Sequence, residues 1–405
     1  MESVLSGVRV LDFTRHMSGP YASMVLGDFG AEIIKVESSP DGDPTRQTGT
    51  YFTSGQSTMF LTWNRNKRSL CLDLRSDRGI EVVRRLVGTA DVLLENYRPG
   101  VADQIGIGWE DVRHINKRLV YCSVNAFGSK GPWAGRPGTD PVVQAFSGVM
   151  SVTGEPDGRP ALVGVPIADF SSAMLTVQGV ILALLARERS GEGQRVEVSM
   201  LGSLLFALTT RVGPFFLTGE DPGRFGSAHS QVVPYQAFEA SDGYVVAGVW
   251  GDADWPAFCR AVDMPELADD ERFDSNVKRV NRRPELTKFL DEQFRTASSD
   301  YWESRFGSEK VLFAPVNTFS KVFNHPQTIA NDYVTTVQHP TVGELPLVAP
   351  VVKLSSTPAT VEQAPPLLGE HSIDILRAAD FSTDEIRSLI DDGVVHSHQA
   401  MGPAA

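Results

Sequence analysis

The chain has 405 residues and a net charge of −13, with 41% hydrophobic and 21% charged residues. These values are typical of a globular protein of two or three domains and exclude disordered, collagen-like and coiled-coil classes. A chain this acidic repels phosphate, so we expect neither a nucleic acid nor an anionic membrane as a partner.

The cysteines and the N-terminus bear on the cellular compartment. Cys71, Cys122 and Cys259 are widely spaced and form no CxxC pair, so they predict neither a disulfide framework nor a thiolate metal site. The N-terminus lacks the layout of a signal peptide. The most apolar stretch, residues 180–186, is too short to cross a bilayer. We therefore expect a cytoplasmic protein.

The first half of the chain alternates between two kinds of pattern. Five apolar runs are predicted to be buried strands: residues 8–13, 33–36, 70–74, 92–94 and 119–124. Helical patterns, such as residues 80–87, lie between them. This alternation predicts an α/β fold with a doubly wound, largely parallel sheet. Ligands of such sheets bind beyond the carboxyl ends of the strands.

The second half predicts a change of architecture. An apolar helix is predicted over residues 170–189, and because it is apolar nearly all round, we expect it to be buried. We expect a large domain at residues 1–217 and a smaller α+β domain at residues 218–335, which contains a hairpin around Asp242-Gly243. Residues 336–405 are expected to return to the large domain.

Asp169 is the strongest single candidate for chemistry. An aspartate just before a long apolar helix is most simply its N-cap. The positive end of the helix dipole also keeps such a carboxylate ionised, and nearby backbone N–H groups can stabilise an oxyanion. Those are the conditions that a carboxylate nucleophile needs, so the sequence pattern leaves both interpretations open.

Basic residues cluster near three predicted strand ends. Residues 64–68 and 96–100 each contain arginine and asparagine, and Lys130 and Arg136 add charge. Such a set can bind a polyphosphate, or it can be surface charge paired with acids such as Asp73 and Glu95. Both interpretations stay open.

Other catalytic signatures are weak. The eight histidines are scattered, and His16 and His229 lie in loops, where a histidine more often makes structural hydrogen bonds than performs catalysis. The sequence has no GxGxxG after the first strand, no Walker loop and no HExxH motif. We therefore do not expect a metal or a dinucleotide.

Eight blocks of sequence resemble the class III CoA-transferases, a family that includes the α-methylacyl-CoA racemases. They occur in the family's order over nearly the whole chain: residues 5–12, 18–20, 30–37, 42–46, 66–69, 95–100, 190–194 and 365–371. Residues 226–238 are most similar to the branch that moves CoA between succinate and other dicarboxylic acids, such as 3-hydroxy-3-methylglutarate.

The resemblance implies an activity and a nucleophile. The family's nucleophilic aspartate falls on Asp169, whose carboxylate would attack the donor thioester to give a mixed anhydride and CoA thiolate. The thiolate would return to form an aspartyl-CoA thioester, from which the acceptor acid takes CoA in the reverse sequence. ATP is not required, but water must be excluded. We expect succinyl-CoA as the donor, a small dicarboxylic acid as the acceptor and no tightly bound cofactor.

By position, the resemblance also implies binding residues and an assembly. The CoA site would consist of His16, Met17, Ser18, Leu72, Asp73, Leu74, Arg75, Asn96, Tyr97, Arg98, Gln104, Arg136, Gly138, Thr139 and Asp140. His16 and His229 would bind the acyl carboxylate. The family forms interlocked-ring homodimers, and we expect the same here.

Two departures from the family pattern disfavour racemisation and oxalate specificity. The racemase branch has a histidine base where Thr139 stands, and a hydroxyl does not exchange protons near neutral pH as imidazole does. The formyl-CoA:oxalate branch has glutamine at the position of Met17 and a glycine run in the smaller domain, where this chain has Gly248-Val249-Trp250-Gly251. A racemase or epimerase and a non-catalytic CoA-binding protein remain the alternatives.

Overall fold

The computed structural model describes residues 3–398. The strands in this part of the chain are β1 (Arg9–Asp12), β2 (Glu32–Ser38), β3 (Phe52–Thr53), β4 (Gln56–Ser57), β5 (Lys67–Leu72), β6 (Val92–Glu95), β7 (Val120–Asn125), β8 (Arg195–Ser199), β9 (Tyr235–Ala240), β10 (Gly243–Gly248), β11 (Leu312–Pro315), β12 (Val334–His339), β13 (Gly343–Val348) and β14 (Val395–His396).

The helices follow the same chain order. They are α1 (Ser18–Asp28), α2 (Thr58–Thr62), α3 (Asp77–Val87), α4 (Val101–Gln104), α5 (Trp109–Val112), α6 (Asp140–Phe146), α7 (Ile167–Ser190), α8 (Met200–Ala207), α9 (Thr209–Thr218), α10 (Trp255–Ala261), α11 (Asn276–Asn281), α12 (Arg283–Phe294), α13 (Ser299–Glu309), α14 (Phe319–Phe323), α15 (Pro326–Ala330), α16 (Ser372–Ala378) and α17 (Thr383–Asp391).

The large sheet has seven strands in the order β14-β5-β2-β1-β6-β7-β8. Neighbouring strands are parallel except at one edge, where β14 runs antiparallel to β5. Strand β1 therefore lies in the middle, and its carboxyl end is flanked by the carboxyl ends of β2 and β6. The expected α/β fold with a largely parallel sheet is confirmed.

Both faces of this sheet are covered by helices, because alternate residues of each strand point to opposite sides. Leu11 and Leu93 pack on one side with α3, α16 and α17. Val10 and Leu94 pack on the other side with apolar residues of α1 and α7. Strands buried on both faces explain the continuous apolar runs in the sequence.

The described part of the chain forms two compact units. Unit 1 comprises residues 3–149, 163–218 and 329–398, and unit 2 comprises residues 150–162 and 219–328. Three parts of the chain differ from the domain bounds expected from the sequence: residues 150–162 belong to unit 2, and residue 218 and, further on, residues 329–335 belong to unit 1. The latter contain the start of β12, which pairs with β13.

Unit 2 combines a small sheet with helices. Strands β9 and β10 form the expected antiparallel hairpin around Asp242-Gly243, and β11 joins the other side of β10. Helices α10, α12 and α13 contribute buried aromatic residues, including Trp255, Phe294 and Trp302, to its core. The composition of unit 2 is α+β.

Helix α7 is buried on one side only, so the expectation that it is buried all round was wrong. Val180 and Leu184 pack against the sheet, whereas Ile181, Leu182 and Leu185 are 45%, 57% and 52% exposed. Nothing within residues 3–398 covers that second side. Exposing apolar side chains of this size to water costs free energy.

The length of α7 also corrects the expectation that the most apolar part of the chain is too short to cross a membrane. Its 24 residues are long and apolar enough to cross a membrane, and the pair α8–α9, bent by 75°, meets the same criterion if taken as one span. Buried core helices of other proteins share this property. Here the buried side of α7 packs against α1, β7 and β8.

Candidate active site

Asp169 is the third residue of α7, in its first turn. The cap position is occupied by Pro166, whose φ of −71° suits entry into a helix. The Asp169 side chain makes no capping hydrogen bond, so the interpretation of Asp169 as the N-cap was wrong. The carboxylate is therefore left for other contacts.

Asp140 supplies the capping carboxylate that Asp169 does not. Its Oδ1 accepts the backbone N–H of Ala168 at 2.7 Å and that of Asp169 at 3.4 Å. The Nε2 of Gln144, one turn along α6, donates to Asp140 Oδ2 at 2.6 Å. Asp140 was expected from the family resemblance, whereas Gln144 was missed because a buried glutamine in a short helix gives no motif.

The environment of Asp169 makes its carboxyl group easier to protonate. Burial and the nearby charge of Asp140 raise the pKa of Asp169 to about 6, although hydrogen bonds from the backbone and hydroxyl of Ser18 act in the opposite direction. The helix dipole was expected to keep the Asp169 carboxylate ionised, which would lower its pKa. The raised pKa corrects that expectation. At pH 7 most molecules still carry the charge. A partly dehydrated carboxylate attacks a carbonyl more readily because it loses less water.

Ser18 reaches Asp169 because the chain turns sharply between β1 and α1. His16 has a left-handed φ of 64°. Gly19 approaches Thr14 so closely that a Cβ at residue 19 would lie 2.3 Å from the Thr14 Cβ. A larger residue would push α1 away from the loop. His16 is exposed and Met17 half-buried, and Ser18 is the member of this expected trio that contacts Asp169.

Four buried charges lie beneath this loop. Lys67 Nζ is 3.2 Å from the Asp12 carboxylate, and Lys35 Nζ is 2.9 Å from that of Asp43. Asp12 accepts the N–H of Thr14, and Lys35 donates to the Thr14 carbonyl, both at 2.9 Å. Burial lowers the pKa of Lys67 to about 8 despite the attraction of Asp12. The network anchors the loop that holds Ser18.

The basic segment at residues 64–68 is structural, which corrects its inclusion in the candidate anion site. Lys67 is enclosed in the network just described. Arg65 pairs with Asp28 at 2.8 Å, and Arg68 pairs with Glu32 at 2.7 Å. Each cation is thereby neutralised within the chain.

The segment at residues 96–100 has the opposite character. Asn96 bridges to Arg15 through both backbone groups, at 2.7 and 2.8 Å, and the Arg15 guanidinium lies 4.8 Å from the Tyr97 ring. Arg98 is exposed and forms no ion pair within residues 3–398. Glu95, the partner offered by the sequence, is buried and accepts the N–H of Tyr97. Arg98 is therefore free to bind an anion.

The remaining expected CoA residues differ in accessibility. Leu72 and Leu74 have buried side chains in the core, so their backbone groups are what a ligand could contact. Arg75 is exposed and pairs with Asp73 at 3.0 Å. Gln104 is the exposed last residue of α4.

The segment before α6 is closely packed. A Cβ at residue 138 would lie 2.4 Å from that of Ala126, which explains Gly138. Thr139 is exposed at the cap position of α6. The guanidinium of Arg136 lies 4.0 Å from the ring of Trp133 and stays exposed.

A cavity of about 440 Å³ extends along one side of β7, from Tyr121 to Asn125, and reaches the carboxyl end of β6. Its lining includes Tyr97 and Arg98, which were expected from the sequence. Trp109, Tyr121 and Arg195 also line it and were missed. These residues come from separate segments, and only the parallel order of the strands brings them together.

His229 belongs to unit 2. Its Nδ1 accepts the N–H groups of Gln231 and Val232 at 3.2 and 3.1 Å, so in the neutral ring Nε2 carries the hydrogen. The ring stacks on Tyr235 at 5.8 Å with an interplanar angle of 11°. His229 therefore presents a hydrogen-bond donor from a fixed ring.

Thiol and metal chemistry have no evident site among the described residues. Burial raises the pKa of each cysteine, Cys71, Cys122 and Cys259, to about 12, which keeps these thiols protonated at neutral pH. No group of three or more His, Cys, Asp or Glu side chains within residues 3–398 is arranged to hold a metal ion.

Comparison with known proteins identifies the family. A family model described as CoA-transferase family III matches residues 5–372. The chain belongs to that family. Mouse succinyl-CoA:glutarate CoA-transferase is 36% identical over 98% of this chain and 91% of its own length. The succinate–glutarate CoA-transferase of Agrobacterium fabrum is 33% identical over 92% of this chain and 94% of its own length.

Solved structures agree with this family III assignment. The crystal structure of a CAIB/BAIF family protein from Brucella suis matches with a TM-score of 0.84 at 34% identity, covering 94% of this chain and all of the other. The resemblance inferred from the sequence blocks, including its dicarboxylate branch, is confirmed. CoA-transferases use acyl-CoA as a substrate, and the guanidinium groups of Arg98 and Arg136, which form no ion pair within residues 3–398, suit phosphate.

Proposed function

We propose that this protein moves CoA from succinyl-CoA to a small dicarboxylic acid, with Asp169 as the nucleophile. The observation that carries the proposal is the Asp169 carboxylate in the first turn of α7, next to Asp140 and Ser18, with its pKa raised to about 6. The names of the mouse and Agrobacterium fabrum relatives support the donor and the acceptor class.

The proposed reaction needs no proton transfer. An Asp169 carboxylate oxygen attacks the thioester carbonyl, the C–S bond breaks, and CoA leaves as a thiolate from a mixed anhydride. The thiolate then attacks the Asp169 carbonyl, which releases succinate and leaves an aspartyl-CoA thioester. The acceptor carboxylate attacks that thioester, and the two steps run in reverse. The Ser18 hydrogen bonds and the capped start of α7 hold the reacting carboxylate in place.

CoA would bind along the carboxyl ends of β1 and β6. Arg98 and Arg136 are exposed cations outside any ion pair within residues 3–398, and Asn96 holds the backbone of Arg15 in the loop after β1. Guanidinium groups bind phosphate oxygens in pairs, which suits the phosphates of CoA. The other expected CoA residues stay a prediction.

We further propose that the protein is a homodimer, in an interlocked arrangement as the family resemblance implies. Helices α7, α8 and α9 expose large apolar side chains in succession, among them Leu182, Phe206 and Phe216 at 57%, 73% and 78%. Apolar surface of this extent is typical of an interface. A cytoplasmic location, without nucleic acid or membrane partners, stays a prediction.

An exchange assay tests the proposed function. The protein is incubated with succinyl-CoA and a panel of mono- and dicarboxylic acids, and new acyl-CoA species are detected by mass spectrometry. We expect CoA transfer to a dicarboxylic acid, loss of transfer in Asp169→Ala, and little change in Asp300→Ala, an exposed carboxylate in the first turn of α13. Transfer that survives in Asp169→Ala would refute the mechanism, and deuterium incorporation from heavy water without transfer would indicate a racemase.

A further inference from the structure

Gln144 lies on α6, one turn beyond Asp140, and it is completely buried. Its Oε1 accepts the backbone N–H of Val163 at 3.0 Å, and its Nε2 donates to Asp140 Oδ2 at 2.6 Å. Because a backbone N–H can only donate, the contact with Val163 fixes the orientation of the side-chain amide. The amide nitrogen of Gln144 therefore faces Asp140.

The hydrogen bonds of Asp140 suit its ionised form. Its partners are the N–H groups of Ala168 and Asp169 and the amide nitrogen of Gln144, and all three are donors. Asp169 has a different kind of partner in the Ser18 side chain, because a hydroxyl can donate to a carboxylate or accept from a protonated carboxyl group. Asp169 can therefore take up a proton and keep this contact.

No cation of the packed elements compensates the two carboxylates. Helix α6 packs against α7 and α8, and α7 also packs against α1, β7 and β8. Helix α8 carries no charged residue. The other charged or titratable residues of these elements are Tyr21 and Asp28 on α1, Arg187, Glu188 and Arg189 on α7, Tyr121 and Cys122 on β7, and Arg195 and Glu197 on β8. None of these cations lowers the pKa of Asp169, whereas burial and the charge of Asp140 raise it.

We propose that Gln144 is a positioning residue for the Asp169 nucleophile: it holds Asp140 as the ionised carboxylate of the pair, so that Asp169 gains and loses the proton. This inference rests on the proposed function and deepens it. When two carboxylates share a site, one of them binds a proton more readily, and Gln144 decides which one. Asp140 thereby continues to cap α7, while ionisation of Asp169 makes the nucleophile available as the pH rises.

Loss of the Gln144 donor should reverse this assignment. Asp140 Oδ2 has no other hydrogen-bond donor in the described part of the chain. Methionine is similar to glutamine in length but cannot donate a hydrogen bond. In Gln144→Met, Asp140 could therefore take the proton, which would remove its negative charge from the vicinity of Asp169. Asp169 would then stay ionised at lower pH.

The test measures kcat against pH with succinyl-CoA and glutarate. The proteins are the unmodified chain, Gln144→Met, Asp140→Asn and the variant that combines both substitutions. Ser147→Ala is the matched control on the same segment. It removes a buried hydrogen bond, from Ser147 Oγ to the Gln144 carbonyl at 3.1 Å, but Ser147 makes no hydrogen bond to Asp140.

We expect Gln144→Met to move the midpoint of the kcat profile about 1 pH unit lower, because the Asp140 charge no longer faces Asp169. In the Asp140→Asn background, Gln144→Met should not move the midpoint further, since no charge is left for Gln144 to hold. Ser147→Ala should leave the midpoint unchanged. A midpoint that Gln144→Met does not move, or moves equally in both backgrounds, would overturn the inference.

A second measurement follows the proton without turnover. The side-chain carboxyl carbon of Asp169, labelled isotopically and assigned by the loss of its signal in Asp169→Asn, is titrated by NMR in the same proteins. The same shift of the midpoint is expected, and its absence would again contradict the role of Gln144. Should Gln144→Met fail to fold, Gln144→Asn replaces it, since its amide is one carbon too short to reach Asp140. Failure of the proposed function would appear separately, as no CoA transfer by the unmodified protein.

Discussion

The carboxylates of Asp140 and Asp169 meet at one helix terminus. Asp140 Oδ1 accepts the backbone N–H of Asp169 at 3.4 Å, and its negative charge contributes to the raised pKa of the Asp169 side chain. Asp140, which caps the start of α7, therefore also raises the pKa of the Asp169 carboxyl group on that helix. Position and reactivity of Asp169 are coupled through a single neighbour.

The first prediction concerns the pH dependence of transfer. Since the ionised form of Asp169 attacks, activity should rise with pH around an apparent pKa of about 6. Asp140→Asn keeps a capping oxygen but removes the charge, so the rise should move to lower pH. The profile of kcat against pH for both proteins measures this shift. An unmoved profile would show that Asp140 does not act on Asp169.

The second prediction concerns stability. The pKa of Asp169 lies at about 6 in the folded protein and at the ordinary 3.8 in the unfolded chain, so the folded state binds more protons between these values. The contribution of Asp169 therefore falls as pH rises through that window. Asp169→Asn should raise the free energy of unfolding at pH 8 by about 1–2 kcal/mol while abolishing transfer. Urea unfolding at pH 8 and pH 4 measures the gain, which should disappear at the lower pH.

The third prediction concerns the charges beneath the loop. Lys67→Met removes one partner of a buried pair and leaves Asp12 without its ion-pair partner, which should cost about 3–5 kcal/mol of unfolding free energy. Arg68→Met, the next residue on β5, removes a partly exposed cation and should cost about 1 kcal/mol or less. Urea unfolding of both variants makes the comparison. Equal losses would contradict the structural role given to Lys67.

The fourth prediction concerns the exposed side of α7. Leu182→Glu places a charge within the proposed interface and should shift the protein from dimer to monomer in sedimentation velocity. Arg189→Glu, an exposed change on the same helix, should leave the dimer intact. A dimer that tolerates Leu182→Glu would place the interface elsewhere, and a monomeric unmodified protein would refute the dimer.

Much of the fold was readable in the sequence because its signals are local. Apolar runs such as residues 92–94 mark strands buried on both faces, and Asp242-Gly243 marks a hairpin, since each depends on the nearest neighbours along the chain. The position of Asp169 before an apolar helix, and the family blocks, were readable for the same reason. These features can be predicted without knowing which residues pack against them.

The partners of each charged side chain were decided by the tertiary structure alone. Lys67 and Arg98 both lie within two residues of an asparagine, yet Lys67 is buried against Asp12, whereas Arg98 is exposed and unpaired within residues 3–398. Likewise Asp140 rather than Asp169 caps α7, by binding the N–H of Ala168, which lies 28 positions further along the chain. The free energy of a charged side chain depends on its surroundings in three dimensions. The spatial order of the strands in the sheet sets those surroundings.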